Sequence, residues 1–293
     1  MGEADPNRIV VDFNVDDSRS SLVALLERLD GAWEEPRTVR LDLADCDYLG
    51  PVGVLTLCGL QDRRRAAGAD TEIVLPHRPA LAAYCRYAGL AARFPGGALP
   101  DVAHPKSETL AISSFSAFDA RILNAVTGLV RRHMDLGRGA EEALKTSLSE
   151  IMYNVLDHAA SPVGGLLTAR AFENRREVRV AIADIGVGVL ATLSRTLPQL
   201  TRHDEALREA LRGDSSARST ARNLGQGLKT LDRIAQRNGG QLLIASYEAV
   251  YTRDGGAAQV RGLRPRFPGT LVSLRFKVDN ELYAGDDGDD DVW

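Results

Sequence analysis

Three short stretches of this 293-residue chain carry side chains suited to chemistry. Glu150-Ile-Met-Tyr-Asn154 falls on an expected helix, and Asp184-Ile-Gly186-Val-Gly188 follows an expected strand. Leu224-Gly225-Gln226-Gly227-Leu228 opens a further helix. Glu150 is a carboxylate that can orient a water or hydroxyl as general base. Asn154 offers an amide oxygen, the hard ligand type that magnesium prefers alongside water and phosphate. Asp184 can accept a hydrogen bond from an exocyclic amine such as that of adenine, and Gly186 and Gly188 let the backbone turn close beneath a flat base. Gly225 and Gly227 precede a helix whose free N–H groups favour phosphate. These are the parts that hold a magnesium nucleotide.

Each stretch alone has an equally ordinary reading. Glu150, Asn154 and His158 repeat at i, i+4, i+8, which also describes a solvated helix face opposite the apolar stripe of Leu144, Leu148, Ile151, Met152 and Val155. Asp-x-Gly-x-Gly after a strand is a common turn, and a Gly-x-Gly before a helix is a common helix start. Their order and spacing carry the meaning.

The elements that must position these residues fall into two grammars. Residues 8–92 alternate strand and helix: strands at Arg8–Phe13, Thr38–Leu43 and Thr71–Leu75, helices at Arg19–Leu29, about Pro51–Ala67 and Ala80–Leu90. That pattern predicts helices packed on a small sheet. Three prolines and two glycines between Phe94 and Lys106 break both periods and predict a linker. Beyond it, helices are expected at about Ala117–His133 and Ala140–Ala159. A hairpin follows, with Gly165–Ala171 and Val178–Ile182 joined by a polar turn. A polar stretch Thr201–Asn223 then leads to a helix at about Gln226–Arg237 and two or three closing strands, the last Leu271–Phe276. This is α+β grammar.

Composition narrows the class. A net charge of −4 argues against a nucleic-acid partner. Asp286, Asp287, Asp289, Asp290 and Asp291 make residues 281–293 an acidic, solvated tail. Cys46, Cys58 and Cys85 are odd in number and lack C-x-x-C spacing, so a disulfide framework and a zinc site are not expected and a reducing cytoplasm fits. The start lacks a signal-peptide pattern, and no apolar run approaches the ~18 residues of a membrane span, so no membrane partner is expected.

As a set, the motifs resemble the GHKL, or Bergerat-fold, ATPases, a group that includes gyrase subunits, MutL-like proteins, histidine kinases and anti-sigma-factor kinases. Ser149–His158 is similar to the N box, Val180–Val189 to the first glycine box and Leu224–Leu228 to the second. Pro268-Gly269-Thr270 through Phe276 is similar to the closing strand. The resemblance covers about residues 115–277. It implies ATP and Mg2+ as ligands, Glu150 as the catalytic base and Asn154 as the metal ligand. Asp184 would be the adenine acceptor, with Gly186, Gly188, Gly225, Gly227, Leu228 and Thr270 lining the nucleotide. Leu197–Asn223 would be a lid whose Arg202, Arg208, Arg212, Arg218 and Arg222 are available to phosphate. Asn223 and Gln226 depart from the Gly and Leu often seen there.

A histidine autokinase does not fit: His133 is followed by Met-Asp, and His203-Asp204 lies in the lid stretch. A gyrase- or MutL-type machine lacks its transducer domain. Residues 8–92 resemble a STAS domain, the fold of anti-sigma-factor antagonists, through Val39–Leu43 and Cys46–Leu55. Where that family carries Asp-Ser-Ser-Gly-Leu, this chain reads Gly50-Pro51-Val52-Gly53-Val54, with no hydroxyl to phosphorylate. A plain α/β docking or dimerisation module is the competing reading of this half.

The expected architecture is therefore α/β plus α+β. A STAS-like domain (1–93) and linker (94–108) precede a Bergerat-fold ATPase α/β sandwich (109–280) and the acidic tail (281–293). The expected role is regulatory: Mg-ATP controls a protein partner through slow hydrolysis or protein-serine phosphorylation, and a homodimer is compatible with it. The alternative is an ATP-gated binding module without catalysis.

Overall fold

A computed structural model describes residues 7–96, 108–135, 138–213 and 226–280. Most of the expected linker, Gly225, lid residues 214–223 with Arg218 and Arg222, and the acidic tail lie outside the described residues.

The first half runs β1 (Arg8–Val10), α1 (Arg19–Arg28), β2 (Val39–Asp42), α2 (Pro51–Ala66), β3 (Thr71–Val74) and α3 (Pro79–Tyr87). The three strands pair parallel in the order β1-β2-β3, with Leu41 opposite Ile9 and Ile73. Parallel neighbours need a crossover, and α1 and α2 supply it. Ser18 caps α1 by accepting the Ser21 N–H at 3.2 Å, and Leu22, Leu25 and Leu26 form its buried face. Pro51 starts α2 at a position where a missing N–H costs nothing. Every residue from Pro51 to Gln61 is buried. A helix buried all round needs neighbours on two sides.

The second half supplies the other neighbour. It runs β4 (Thr109–Phe115), α4 (Ala120–His133), α5 (Arg138–His158), β5 (Gly165–Phe172), β6 (Glu177–Asp184), α6 (Gly188–Leu193), α7 (His203–Arg212), α8 (Gln226–Asn238), β7 (Gln241–Asp254) and β8 (Ala257–Lys277). Its five strands pair antiparallel in the order β4-β5-β6-β8-β7. Two elements differ from the expectation. β4 precedes the first helix, its alternation broken by a register shift between Leu110 and Ser113. The polar stretch after Thr201 contains α7, whose buried stripe is only Ala206, Leu207 and Ala210.

Alternate residues of this sheet serve two cores. Leu167, Ala169, Val178, Val180, Ile182, Val272 and Leu274 face α4, α5 and α8. Leu166, Ala181, Ala183, Leu243, Ala245 and Leu271 join the core of the first half, where α1 and α2 lie against the sheet. Gly59 marks the approach: a Cβ there would fall 2.5 Å from Ile185 Cδ1. The seam also holds a buried ion pair. Asp17 accepts from Arg179 Nη1 at 2.9 Å and from the Val52 N–H, in the first turn of α2, at 2.8 Å. Arg179 also donates to the Tyr48 hydroxyl at 3.0 Å and to Glu177 at 2.7 Å. No helix among the described residues is long and apolar enough to cross a membrane.

Candidate functional site

The site forms where α5, the end of β6 and the start of α8 meet. β6 delivers Asp184 at its last position, paired with Gly165 on one side and Thr270 of β8 on the other. The chain then turns sharply. Val187 donates its N–H to the Ala159 carbonyl at 2.7 Å, which ties the turn to the C-terminal end of α5. A side chain at Gly186 would collide with that same carbonyl. Gly188 sits at φ 75°, where a Cβ would also press on Ser246 and Tyr247. In the last turns of α5, Asn154 and His158 line the same cleft as Asp184 at the end of β6.

The result is one cleft lined by Asn154, His158, Asp184, Gly188, Leu228 and Thr270, with Ile151, Val155 and Val189 as its apolar wall. Its volume is about 50 Å3, and it opens to solvent.

Asp184 is 4% exposed. Its Oδ1 accepts the Gly186 N–H at 2.8 Å. Burial pushes its carboxyl up to about 7, against the pull of hydrogen bonds from Gly186 and from the Thr270 backbone and hydroxyl. Thr270 Oγ1 lies 3.5 Å from Ser246 Oγ, which accepts the Val189 N–H at 2.9 Å. A polar chain thus runs from Asp184 through Thr270 to the first turn of α6. The Asn154 side chain lines the cleft. No cluster of three metal-ligating side chains exists among the described residues.

Glu150 does not line the cleft. Its Oε2 is buried without a hydrogen-bond partner among the described residues and lies 2.8 Å from where a Gly227 Cβ would be. Burial raises its carboxyl above the ordinary range, while the Gly227 N–H opposes the shift. Gly227 is buried in the first turn of α8, one residue before Leu228. Gln226, at the start of α8, donates its side-chain amide to the carbonyl of Gly213, which follows α7, at 3.1 Å.

The sequence motifs omit Ser246 and Tyr247. Tyr247 has φ 49°, donates its hydroxyl to the Gly186 carbonyl at 3.2 Å, and stacks on His203 with centroids 5.4 Å apart. His203 is half-buried and its imidazole pKa is lowered by that burial, unlike an accessible phosphoacceptor. Both residues brace the glycine turn from a distant strand, and no local pattern marks them.

No protein-family model matches the chain, and no curated protein is significantly similar to it.

Proposed function

We propose that this chain binds magnesium ATP in the cleft between α5, β6 and α8 and uses it to control a protein partner. The observation that supports the reading is convergence. Asn154, Asp184, Gly188, Leu228 and Thr270 come from four separate stretches of sequence and line one cavity. In this reading Asp184, ionised, accepts from the adenine amine, with Thr270 holding its other flank. Asn154 contributes an oxygen to Mg2+, which neutralises phosphate charge when bound. The first turn of α8 presents N–H groups to phosphate. On the resemblance set out above, the fold is a Bergerat-type ATPase half joined to a STAS-like half.

The test is calorimetry on Asp184→Asn. An amide can present its donor end to the adenine amine, so affinity for Mg-ATP falls about 10- to 100-fold, the scale of one charge-assisted hydrogen bond. Equal affinity in both proteins would remove the cleft from consideration.

A second reading, binding without turnover, draws support from Glu150, which is packed beneath Gly227 rather than facing the cleft. Glu150→Ala separates the two. Loss of phosphate release or of serine phosphorylation, with ATP binding retained, assigns Glu150 as the base. Wild-type binding with no turnover in the presence of any partner selects the binding module.

A further inference from the structure

A second cavity of about 520 Å3 lies on the seam between the halves and shares no residue with the ATP cleft. Its size falls within the ~300–1,000 Å3 typical of small-molecule sites. Three arginines surround it: Arg78 at the start of α3, Arg170 on β5, and Arg175 after β5. Arg170 is the telling residue. Its guanidinium lies 3.9 Å from the Tyr84 ring centroid and 4.6 Å from that of Phe172. Its Nε is buried with no acceptor, and it has no carboxylate partner among the described residues. Its ladder neighbour Arg179, by contrast, is neutralised by Asp17 and Glu177.

Stacking on rings fixes a guanidinium plane while leaving its in-plane N–H groups to point sideways. Arg175 is held the same way, 4.7 Å over Tyr48. Two oriented, unpaired guanidinium forks beside one cavity match the geometry that recognises phosphate. Tyr84 adds an independent observation: it is 1% exposed, lines the cavity, and its hydroxyl has no partner. Beside it, α3 starts without a side-chain cap. A buried donor left unmatched costs about 1–3 kcal/mol, and an anion in the cavity would supply the missing acceptor.

The remaining charged walls are Asp47, Glu108 and Glu173. They oppose a bare polyanion and suit a ligand that also carries hydrogen-bond donors. We propose that this seam cavity is a second, phosphate-recognising site for a small nucleotide. Its phosphate would meet Arg170, Arg175 and Arg78, and its amine or hydroxyl groups would meet the carboxylates. Because Arg78 and Tyr84 come from the first half and Arg170 and Arg175 from the second, such a ligand would bridge the two.

The experiment uses the full chain carrying Asp184→Asn, so that binding in the ATP cleft is weakened, and without magnesium. AMP, GMP, inorganic phosphate, adenosine and guanosine are titrated by calorimetry. The expected result is one-to-one binding of at least one of the two nucleotides, with neither nucleoside binding. Adding Arg170→Met should weaken that binding roughly tenfold or more, and the exposed pair Arg78→Ala and Arg175→Ala should do the same without touching the core. No binding of either nucleotide, binding of phosphate alone, nucleosides binding as well as nucleotides, or unchanged affinity in the exposed double variant would each overturn the proposal. A failed ATP reading is seen separately, as absence of ATP binding to wild type.

Discussion

Asp184 combines a nearly complete loss of solvent with only part of the hydrogen bonding an ionised carboxylate wants. Its raised pKa means that the free protein favours the protonated form below about pH 7. The stability this group contributes is full below the ordinary carboxylate pKa and is lost as pH rises through about 7. A bound adenine amine would favour the ionised form, to which it donates a stronger, charge-assisted hydrogen bond. ATP affinity of wild type should therefore fall, by up to about tenfold per unit, as pH drops below 7, and the Asp184→Asn protein should show no such slope. Calorimetry at pH 5.5, 6.5 and 8 reads this directly, and a flat wild-type profile would contradict it. Residues of this kind were legible in the sequence because each sits in a short local motif. Asp184 ends β6, Gly188 opens α6, Leu228 lies in the first turn of α8 and Asn154 near the end of α5, so each has its direction fixed by its own element. Glu150 shares a helix face with Asn154, but its direction depends on how closely α8 approaches, and spacing along one helix does not encode that. Ser246 and Tyr247 reach the site from the middle of β7, and the left-handed backbone of Tyr247 has no sequence signature.

At the scale of elements, α2 and the strands β5 and β6 share a property visible as uninterrupted apolar runs. Val178 to Ala183 is broken only by Arg179, and Pro51 to Leu60 is broken by glycines and Thr56 alone. Runs of this kind mean burial on both faces. Periodicity fixed the type and limits of these elements well, yet it does not say what covers the second face. The covering is a long-range match of shapes: α2 against β5 and β6, with Gly59 admitting Ile185. β4 and α7 escaped notice for the opposite reason, since their apolar signals are thin and irregular. The fit at Gly59 is testable. Gly59→Leu should destabilise the protein by about 1–3 kcal/mol in urea unfolding, because both α2 and Ile185 are fully packed and neither can yield cheaply. Ile185 directly follows Asp184, so the same variant should weaken ATP binding. Unchanged stability would mean that α2 does not rest on the sheet at this point.

For the whole molecule, the consequence is that the two halves do not have separate cores. The sheet face carrying Leu166, Ala181, Ala183, Leu243 and Leu271 is buried only because α1 and α2 cover it. The same interface places Asp17 over the first turn of α2 and pairs it with Arg179 of β6. That end of α2, around Gly50-Pro51-Val52, is therefore held by a first-half carboxylate that is itself paired with a buried guanidinium of the second half. Residues 108–280 expressed alone should consequently expose a contiguous apolar face and leave Arg179 without Asp17. Surfaces of that sort associate or bind hydrophobic dyes, and removing one member of a buried pair costs on the order of 3–5 kcal/mol. The fragment should elute as aggregate and bind dye strongly, and co-expression with residues 1–96 should restore a soluble, dye-silent complex. A monodisperse fragment that unfolds cooperatively and binds ATP like the full chain would show that the first half is an accessory. Aggregation relieved by the first half would mean that α1 and α2 belong to the same folding unit as the strand that ends in Asp184, with Gly59 packed on the neighbouring Ile185.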